Sequence, residues 1–349
     1  MTSIIHDIRG AQNPLDRLGR PLHDLRISVM DRCNFRCPYC MPKEQFHENY
    51  QFLKSGERLS FDEIVRLTKL FTGLGVRKVR LTGGEPLLRA NLADLVGDLT
   101  GIPGIEDIAL TTNGVLLANH AVDLHANGLK RITVSLDSLD KEIFARLSGG
   151  FGALDQVLAG IDAAIAVGMT PVKINAVIER GVNDHTAFDL VKHFRGTPVI
   201  VRFIEFMDVG NRNRWRPDMV VPSRELAAQI NARWPMHPVS QNYHGEVAQR
   251  WRFDDGNGEV GFISSVSQPF CGACSRARLS SEGKFYTCLF ATQGTDLRGP
   301  MRAGADDAEL LRIIRGAWAG RTDRYSELRD ELRRNAPEAK KIEMYYIGG

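Results

Sequence analysis

The chain has 349 residues, 43% of them hydrophobic and 25% charged, which is the balance of a folded globular protein and not of a disordered or fibrous one. A net charge of +3 is too small to point to nucleic acid. No run of about 18 apolar residues occurs, so no membrane span is expected, and the opening MTSIIHDIRG lacks an apolar leader stretch, which makes the cytoplasm the expected compartment.

Residues 1–24 read as an N-terminal extension, 25–220 as one α/β unit and 221–349 as a C-terminal region. Through 25–207 strands and helices alternate. The expected strands are Leu25–Met30, Lys78–Thr82, Asp107–Thr112, Arg131–Asp137, Val172–Ile178 and Val199–Phe206. Between the first two, Ser60 and Glu63 form a capping box before an amphipathic run that ends near Gly73 or Gly75. Further helices are expected at Leu116–Asn127, stopped by Gly128, and at Leu154–Val167, stopped by Gly168. Six such units predict a parallel sheet, open or rolled into a partial barrel. A parallel strand buried on both faces should be almost wholly apolar. These strands instead pair polar residues at period two: Arg26 with Ser28, Arg80 with Thr82, Thr111 with Asn113, Ser135 with Asp137, Lys173 with Asn175. That habit predicts a curled sheet with a polar lumen. Beyond 208 the pattern changes. Asn211–Arg216 is a basic loop, 240–300 reads as short strands and turns, and Leu310–Trp318 and Tyr325–Arg334 read as helices before the end Met344-Tyr-Tyr-Ile-Gly-Gly349.

Six cysteines fall in two sets of three. Cys33, Cys37 and Cys40 form C-x3-C-x2-C directly after the first strand, where α/β folds place active sites. Cys271, Cys274 and Cys288 form C-G-A-C and a single later cysteine. Thiols this close together, beside arginines, suit metal more than disulfides, and a reducing compartment disfavours disulfides. Each iron of a cubane cluster takes one thiolate. Three cysteines therefore leave one iron open to a small molecule. For the first set the alternative is zinc, but structural zinc favours four closed ligands, and the nearest downstream histidine is His47. For the second, the alternatives are a zinc ribbon lacking one cysteine and an electron-relay cluster completed by a distant ligand. Against these stand Arg276 and Arg278 just after Cys274, since guanidiniums present planar donors to anions.

C-x3-C-x2-C after the first strand of a six-unit barrel resembles the signature of the radical S-adenosylmethionine (radical SAM) enzymes. Leu81-Thr-Gly-Gly-Glu-Pro86 resembles their glycine motif, with Gly83 and Gly84 permitting close backbone approach. From about residue 10 to its end the chain resembles the GTP 3′,8-cyclase family of that superfamily. The likeness runs through D-R-C-N-F-R-C-P-Y-C-M-P, T-G-G-E-P-L-L-R, T-T-N-G, S-L-D-S, R-F-I-E-F-M, C-G-A-C-S-R-A-R-L and the terminal Gly-Gly. It implies an α/β fold: a partial (incomplete) TIM-type barrel of about six strand–helix units with a C-terminal cluster-binding region. It implies two 4Fe-4S clusters, one on Cys33, Cys37 and Cys40 and one on Cys271, Cys274 and Cys288, together with S-adenosylmethionine. Tyr39, Gly84, Ser135 and Met207 match positions that hold S-adenosylmethionine, although Met207 read by periodicity alone is equally a packing methionine. Arg26, Arg80, Thr111, Lys173, Arg276 and Arg278 match positions that hold GTP. Arg26 and the tail residues Gly348 and Gly349 match catalytic positions. A buried cation without a partner is costly, and the triphosphate would supply the anions that Arg26, Arg80 and Lys173 lack.

The implied reaction takes a hydrogen from C3′ of GTP, joins C3′ to C8, and gives (8S)-3′,8-cyclo-7,8-dihydroguanosine 5′-triphosphate, the first step of molybdenum cofactor biosynthesis. Implied partners are GTP, an electron donor, a downstream cyclic pyranopterin monophosphate synthase and a second copy in a homodimer, with neither nucleic acid nor membrane. Two rivals are a peptide-maturing radical SAM enzyme, which usually carries more C-terminal cysteines, and a metal-stabilised binding protein without catalysis. Gly348-Gly349 read alone is a frayed end, but the apolar 342–347 before it is expected to dock.

Overall fold

Period-two sequence becomes two-faced structure in β5 (Val172–Ile178) and β6 (Val199–Glu205), where every second residue is buried and those between are half-buried. The computed structural model describes residues 13–243, 245–335 and 340–348; the tail position Gly349 lies outside the described residues. The other strands of the repeating unit are β1 (Asp24–Ser28), β2 (Lys78–Thr82), β3 (Asp107–Thr112) and β4 (Arg131–Ser135). All six expected strands are present. The first strand begins one residue earlier than expected, at Asp24; otherwise, where the bounds differ, the expected strand overran by one or two residues at the carboxyl end, as at Met30 and Asp137, because the chain turns there into the site loops.

The intervening helices lie at α1 (Phe61–Gly73), α2 (Leu92–Thr100), α3 (Leu117–Ala126), α4 (Lys141–Leu147), α5 (Leu154–Ala166) and α6 (Ala187–Phe194). The capping box forms as read: Glu63 N–H donates to Ser60 Oγ at 3.1 Å, and Ser60 N–H donates to Glu63 Oε2 at 2.7 Å. Each helix turns an apolar stripe onto the sheet. Leu67, Leu70 and Phe71 of α1 share one core with Leu25 and Ile27 of β1 and Val79 and Leu81 of β2. Burial of these side chains is the main stabilising contribution, at about 1.5–3 kcal/mol each.

The C-terminal strands do not build a sheet of their own. β9 (Glu259–Ile263) pairs with β6, and β10 (Arg276–Leu279) pairs with β1, both in parallel. Seven parallel pairings thus join eight strands in the order β10-β1-β2-β3-β4-β5-β6-β9. Antiparallel strands cover the two edges. They are β8 (Gln249–Phe253) and β7 (Met236–Val239) beyond β9, and β11 (Lys284–Tyr286) and β12 (Thr295–Asp296) beyond β10. Outside the sheet lie α7 (Ser223–Arg233), α8 (Arg298–Arg302), α9 (Asp307–Ala319), α10 (Arg329–Asn335) and α11 (Met344–Ile347).

One expectation fails. The helix read over Tyr325–Arg334 begins only at Arg329, with turns before it. There Glu327 accepts the Gly272 N–H and the Arg324 guanidinium, and the Tyr325 hydroxyl donates to Asp208. These bonds tie the segment to the second cysteine loop and to the end of β6 instead of to a helix face.

The sheet curls. Arg80 on β2 and Arg202 on β6 both donate to the Thr133 hydroxyl of β4, at 3.1 and 3.2 Å. Side chains from all eight parallel strands line one cavity of about 360 Å³, large enough for a small ligand. Among the described residues no helix is long and apolar enough to cross a membrane.

Gly84 shows how tightly the end of β2 meets the first cysteine loop. Its N–H donates to the Met30 carbonyl at 2.7 Å, and a Cβ there would run into the backbone of Arg32 and Cys33. Gly84→Ala should therefore lower unfolding stability by about 1–3 kcal/mol, read by denaturant titration; an unchanged midpoint would show that the loop moves aside.

Candidate active site

The two cysteine sets open on the same cavity. All six cysteines line it, all are free thiols, and none is exposed. The first set follows β1. Arg36 staples its loop by donating to the carbonyls of Cys33 at 2.7 Å, Phe35 at 2.8 Å and Phe46 at 2.8 Å. Arg36 thus serves the backbone and not the thiols, contrary to the sequence expectation of arginines beside thiolates. Burial pushes the Cys33 thiol up to about 12 and raises Cys37 and Cys40 as well. Thiolates so placed need a positive partner. A cubane takes one thiolate per iron, so the three thiols of this loop can each meet a different iron, whereas structural zinc favours four closed ligands. The donor set fits an iron–sulfur cluster better than lone zinc.

Around this loop stand residues that sequence reasoning placed only on the polar face or left without a role. The Tyr39 hydroxyl donates to Asp137 at 2.7 Å, and Asp137 also accepts the Val177 N–H at 2.8 Å. Burial raises Asp137 to about 6. Glu85, beside the paired glycines, accepts the Thr112 hydroxyl at 2.7 Å, the Asn113 N–H at 2.8 Å and the Leu87 N–H at 3.0 Å. Burial raises it to about 7. The close approach that Gly84 permits is made by the cysteine loop itself. Ser135, at the end of β4, and Met207, after β6, line the same cavity as Tyr39 and Asp137.

The opposite wall is cationic. Register sets Arg278 beside Arg26, Arg26 beside Arg80, Arg80 beside Ala109, and Ala109 beside Arg131. Four arginines therefore share one level of the lumen. Arg131 is paired with Asp107. Among the described residues Arg26, Arg80, Lys173, Arg202, Arg276 and Arg278 have no carboxylate in ion-pair range, as the sequence expected for the first two and Lys173. Among the described residues Arg80 donates only to the hydroxyls of Thr111 at 3.0 Å and Thr133, and Arg278 only to the Ile347 carbonyl at 3.3 Å. Arg276 lies over the Phe270 ring. Burial, then Arg278, Arg80 and Arg276, pull Arg26 well down, against Asp24. Burial and neighbouring arginines bring Arg202 to about 9 and Lys173 to about 7. Each such shift is a measure of how strongly the wall favours an anion. Arg202 was not singled out from sequence, yet its signal is there: it is the lone cation in Val-Ile-Val-Arg-Phe-Ile-Glu, at lumen parity.

The tail closes the mouth. Tyr345 packs on Met41 and Phe46, its hydroxyl meets that of Tyr50 at 2.9 Å, and Ile347 is fully buried. Gly348 has φ +73° and lies so close to Thr82 that a Cβ would collide. Behind it Lys341 pairs with Asp208 at 2.9 Å, and Glu343 accepts the Asn211 N–H at 3.2 Å.

The radical SAM superfamily model matches residues 27–194, and the model described as Molybdenum Cofactor Synthesis C matches 199–327. The chain is 54% identical over 334 residues to the GTP 3′,8-cyclase of Xanthomonas campestris pv. campestris, covering 96% of this chain and 97% of the relative. The chain belongs to the GTP 3′,8-cyclase family. Family members from Acidothermus cellulolyticus and Staphylococcus epidermidis are 51% and 48% identical, each covering 96% of this chain and 98% of the relative. Among solved structures, Streptococcus suis SuiB bound to S-adenosylmethionine aligns with a TM-score of 0.58 at 17% identity, over 85% of this chain and 68% of that one; the likeness is one of fold.

Taken as a phosphate ligand, the role proposed below, Lys173 would give a pH signature. A bound triphosphate would restore the charge that burial and the arginines suppress, so the Lys173 value rises on binding. Its contribution to GTP affinity would then be full below about 7 and would be lost as pH climbs through the higher value of the complex, at no more than about tenfold per pH unit. Calorimetry in buffers of different ionisation enthalpy should show proton uptake on GTP binding above neutrality. Lys173→Met should lose that share while keeping the titration of GTP itself; equal uptake in both proteins would refute the assignment.

Proposed function

We propose that this chain cyclises GTP to (8S)-3′,8-cyclo-7,8-dihydroguanosine 5′-triphosphate, the first committed step towards molybdenum cofactor. The observation that carries the reading is the single cavity, with cysteine triads and an unneutralised cationic wall facing the same space. Cys33, Cys37 and Cys40 are assigned to one 4Fe-4S cluster and Cys271, Cys274 and Cys288 to a second. Bound at the first set, a cluster with S-adenosylmethionine supplies the electron and the primary carbon radical that hydrogen removal from C3′ requires.

The chain's own residues orient and shield. Tyr39, fixed by Asp137, holds the cysteine loop against β4, and Gly84, Ser135 and Met207 complete the S-adenosylmethionine side. Arg80, Lys173, Arg276 and Arg278 take phosphates, each charge-assisted contact being worth about 1.5–3 kcal/mol. Thr111 holds Arg80 in line. Arg26, at the centre of the arginine row, and the Gly348-Gly349 tail fix the ribose and exclude water, where small misplacements are costly. The same reading requires a one-electron donor twice, once to cleave S-adenosylmethionine and once, with a proton, to reduce the radical left on the guanine when C3′ joins C8, and it passes its product to a cyclic pyranopterin monophosphate synthase.

The product is an isomer of GTP, so mass alone does not identify it. Reconstituted protein incubated anaerobically with dithionite, S-adenosylmethionine and GTP deuterated at C3′ should give a chromatographically distinct isomer and deuterium in 5′-deoxyadenosine. Deuterium retained in all nucleotide products would refute the reaction. Iron content should be about eight per chain from two four-iron clusters; about four in the fully reconstituted chain would leave one triad without its cluster.

Removing Gly348 and Gly349 should abolish the cyclic product and leave iron content and GTP affinity near their original values, because terminal residues contribute little to the core. A truncated chain that cyclises at the normal rate would reduce the tail to a packing element.

A further inference from the structure

The C-terminal cysteines rest on a buried ion network to which the roles above give no part. Asp16 lies between two guanidiniums, accepting from Arg20 Nε at 2.6 Å and from Arg321 Nη1 at 3.2 Å. The side chains of Arg20, Asp16 and Arg321 are 2%, 0% and 1% exposed. From this pivot the network touches each cysteine position. Arg20 Nη1 donates to the carbonyls of Cys271 and Asp323, both at 2.8 Å. Arg321 Nη1 donates to the Cys274 carbonyl at 2.7 Å, and its Nη2 donates to Cys274 Sγ at 3.2 Å. The Asp323 carboxylate accepts, at 2.6 Å, the hydroxyl of Thr287, the residue before Cys288. Arg321 stacks over Trp318, whose indole N–H donates to the Arg20 carbonyl at 3.1 Å. The guanidinium is thus held on several sides with one edge aimed at sulfur.

The N-terminal set has different surroundings. Cys33 Sγ takes neutral donors, the Phe35 N–H at 3.4 Å and the Asn113 amide at 3.8 Å. The negative groups bearing on that set are the carboxylates Glu85, Asp137 and Glu343, while the nearby Arg36 guanidinium donates to backbone carbonyls and not to sulfur. Both triads have carboxylates nearby, Asp323 standing by Cys288, but among the described residues only the C-terminal set has a guanidinium that donates directly to sulfur.

Hydrogen bonds to the sulfurs and local charge set iron–sulfur potentials. A fixed cationic donor favours the reduced, more negative state, and groups behind the ligands also orient them. We infer that Arg321, anchored through Asp16 to Arg20, is a positioning residue that holds the C-terminal cysteines and raises the reduction potential of their cluster above that of the N-terminal one. The inference rests on the reading of Cys271, Cys274 and Cys288 as cluster ligands. It gives the two centres different duties. The one that must give up an electron takes neutral donors at sulfur, and the one that faces an anion takes a guanidinium.

The test uses the full chain carrying Cys33→Ala, Cys37→Ala and Cys40→Ala, in which the C-terminal cluster alone remains. After anaerobic reconstitution, iron per chain and the midpoint potential are read by chemical analysis and by a redox titration followed by electron paramagnetic resonance. Arg321→Gln should shift the reduction equilibrium about tenfold towards the oxidised form, a fall of ~59 mV for one electron. Arg321→Lys should move it the same way by less, because the charge stays while the planar fork is lost. Iron retained with an unchanged midpoint in both variants overturns the inference. If Arg321→Gln loses iron yet melts at the parent temperature, the positioning role is supported and the potential is read on Arg321→Lys. A parent chain that binds no iron would instead overturn the cluster reading, and this inference with it.

Discussion

Positive charge that the fold does not neutralise governs this molecule. One level of the lumen carries Arg278, Arg26, Arg80 and Arg131, and only Arg131 has an acidic partner among the described residues. Gathering buried cations costs free energy, and the apolar shell between sheet and helices must offset that cost. The lumen is therefore held in a state of raised energy until an anion enters. Binding and stability become linked, since a ligand that fills the wall stabilises the folded chain by an amount that grows with the logarithm of its concentration over its dissociation constant. The parity of strand residues creates this condition. A shift of register by one residue would put the cations under the helices, where nothing could receive them.

The repeating unit was legible because its signals are local. Period two marks β5 and β6, and a serine and a glutamate three residues apart mark the start of α1. The cysteine triads were legible for the same reason. What pairs with the outer strands was not. Nothing in Arg276–Leu279 says that it lies beside β1, and nothing in Glu259–Ile263 says that it lies beside β6. Those pairings are selected by the fit of whole surfaces. Arg321 and Arg20 were invisible for the same cause: single arginines far from the cysteines they support carry no pattern until the chain is folded. The helix expected from Tyr325 shows the converse, a local pattern overridden by Asp208 and the Gly272 backbone.

The C-terminal segment is fastened by charge at two points, Lys341 on Asp208 and Glu343 on Arg212, the first being the more buried. Burial alone would raise the Asp208 carboxyl, but the Tyr325 hydroxyl, Lys341 and Arg329 together hold it down at about 2. A depressed acid contributes its stabilisation above its ordinary range and loses it only as pH falls through the depressed value. The anchor thus stays charged across the whole neutral range. Tyr345 against Phe46 and Tyr50 adds an aromatic contact that is indifferent to pH. The tail is held in place by forces that the reaction conditions do not disturb.

The pairing of β10 with β1 also sets the order in which the molecule can be made. Ser275 and Asp24, bonded side chain to side chain at the start of that pairing, are 251 residues apart in the chain. The first strand to leave the ribosome has one of its two neighbours, β2, within reach early, and waits for the other until most of the protein has been synthesised. During that interval β1 is an unprotected parallel edge bearing half-buried charge, and contacts of such long separation form slowly. The charges on Asp24 and Arg26 make that edge a poor template for a second chain. Residues placed in the lumen also guard the nascent sheet until its last neighbour arrives.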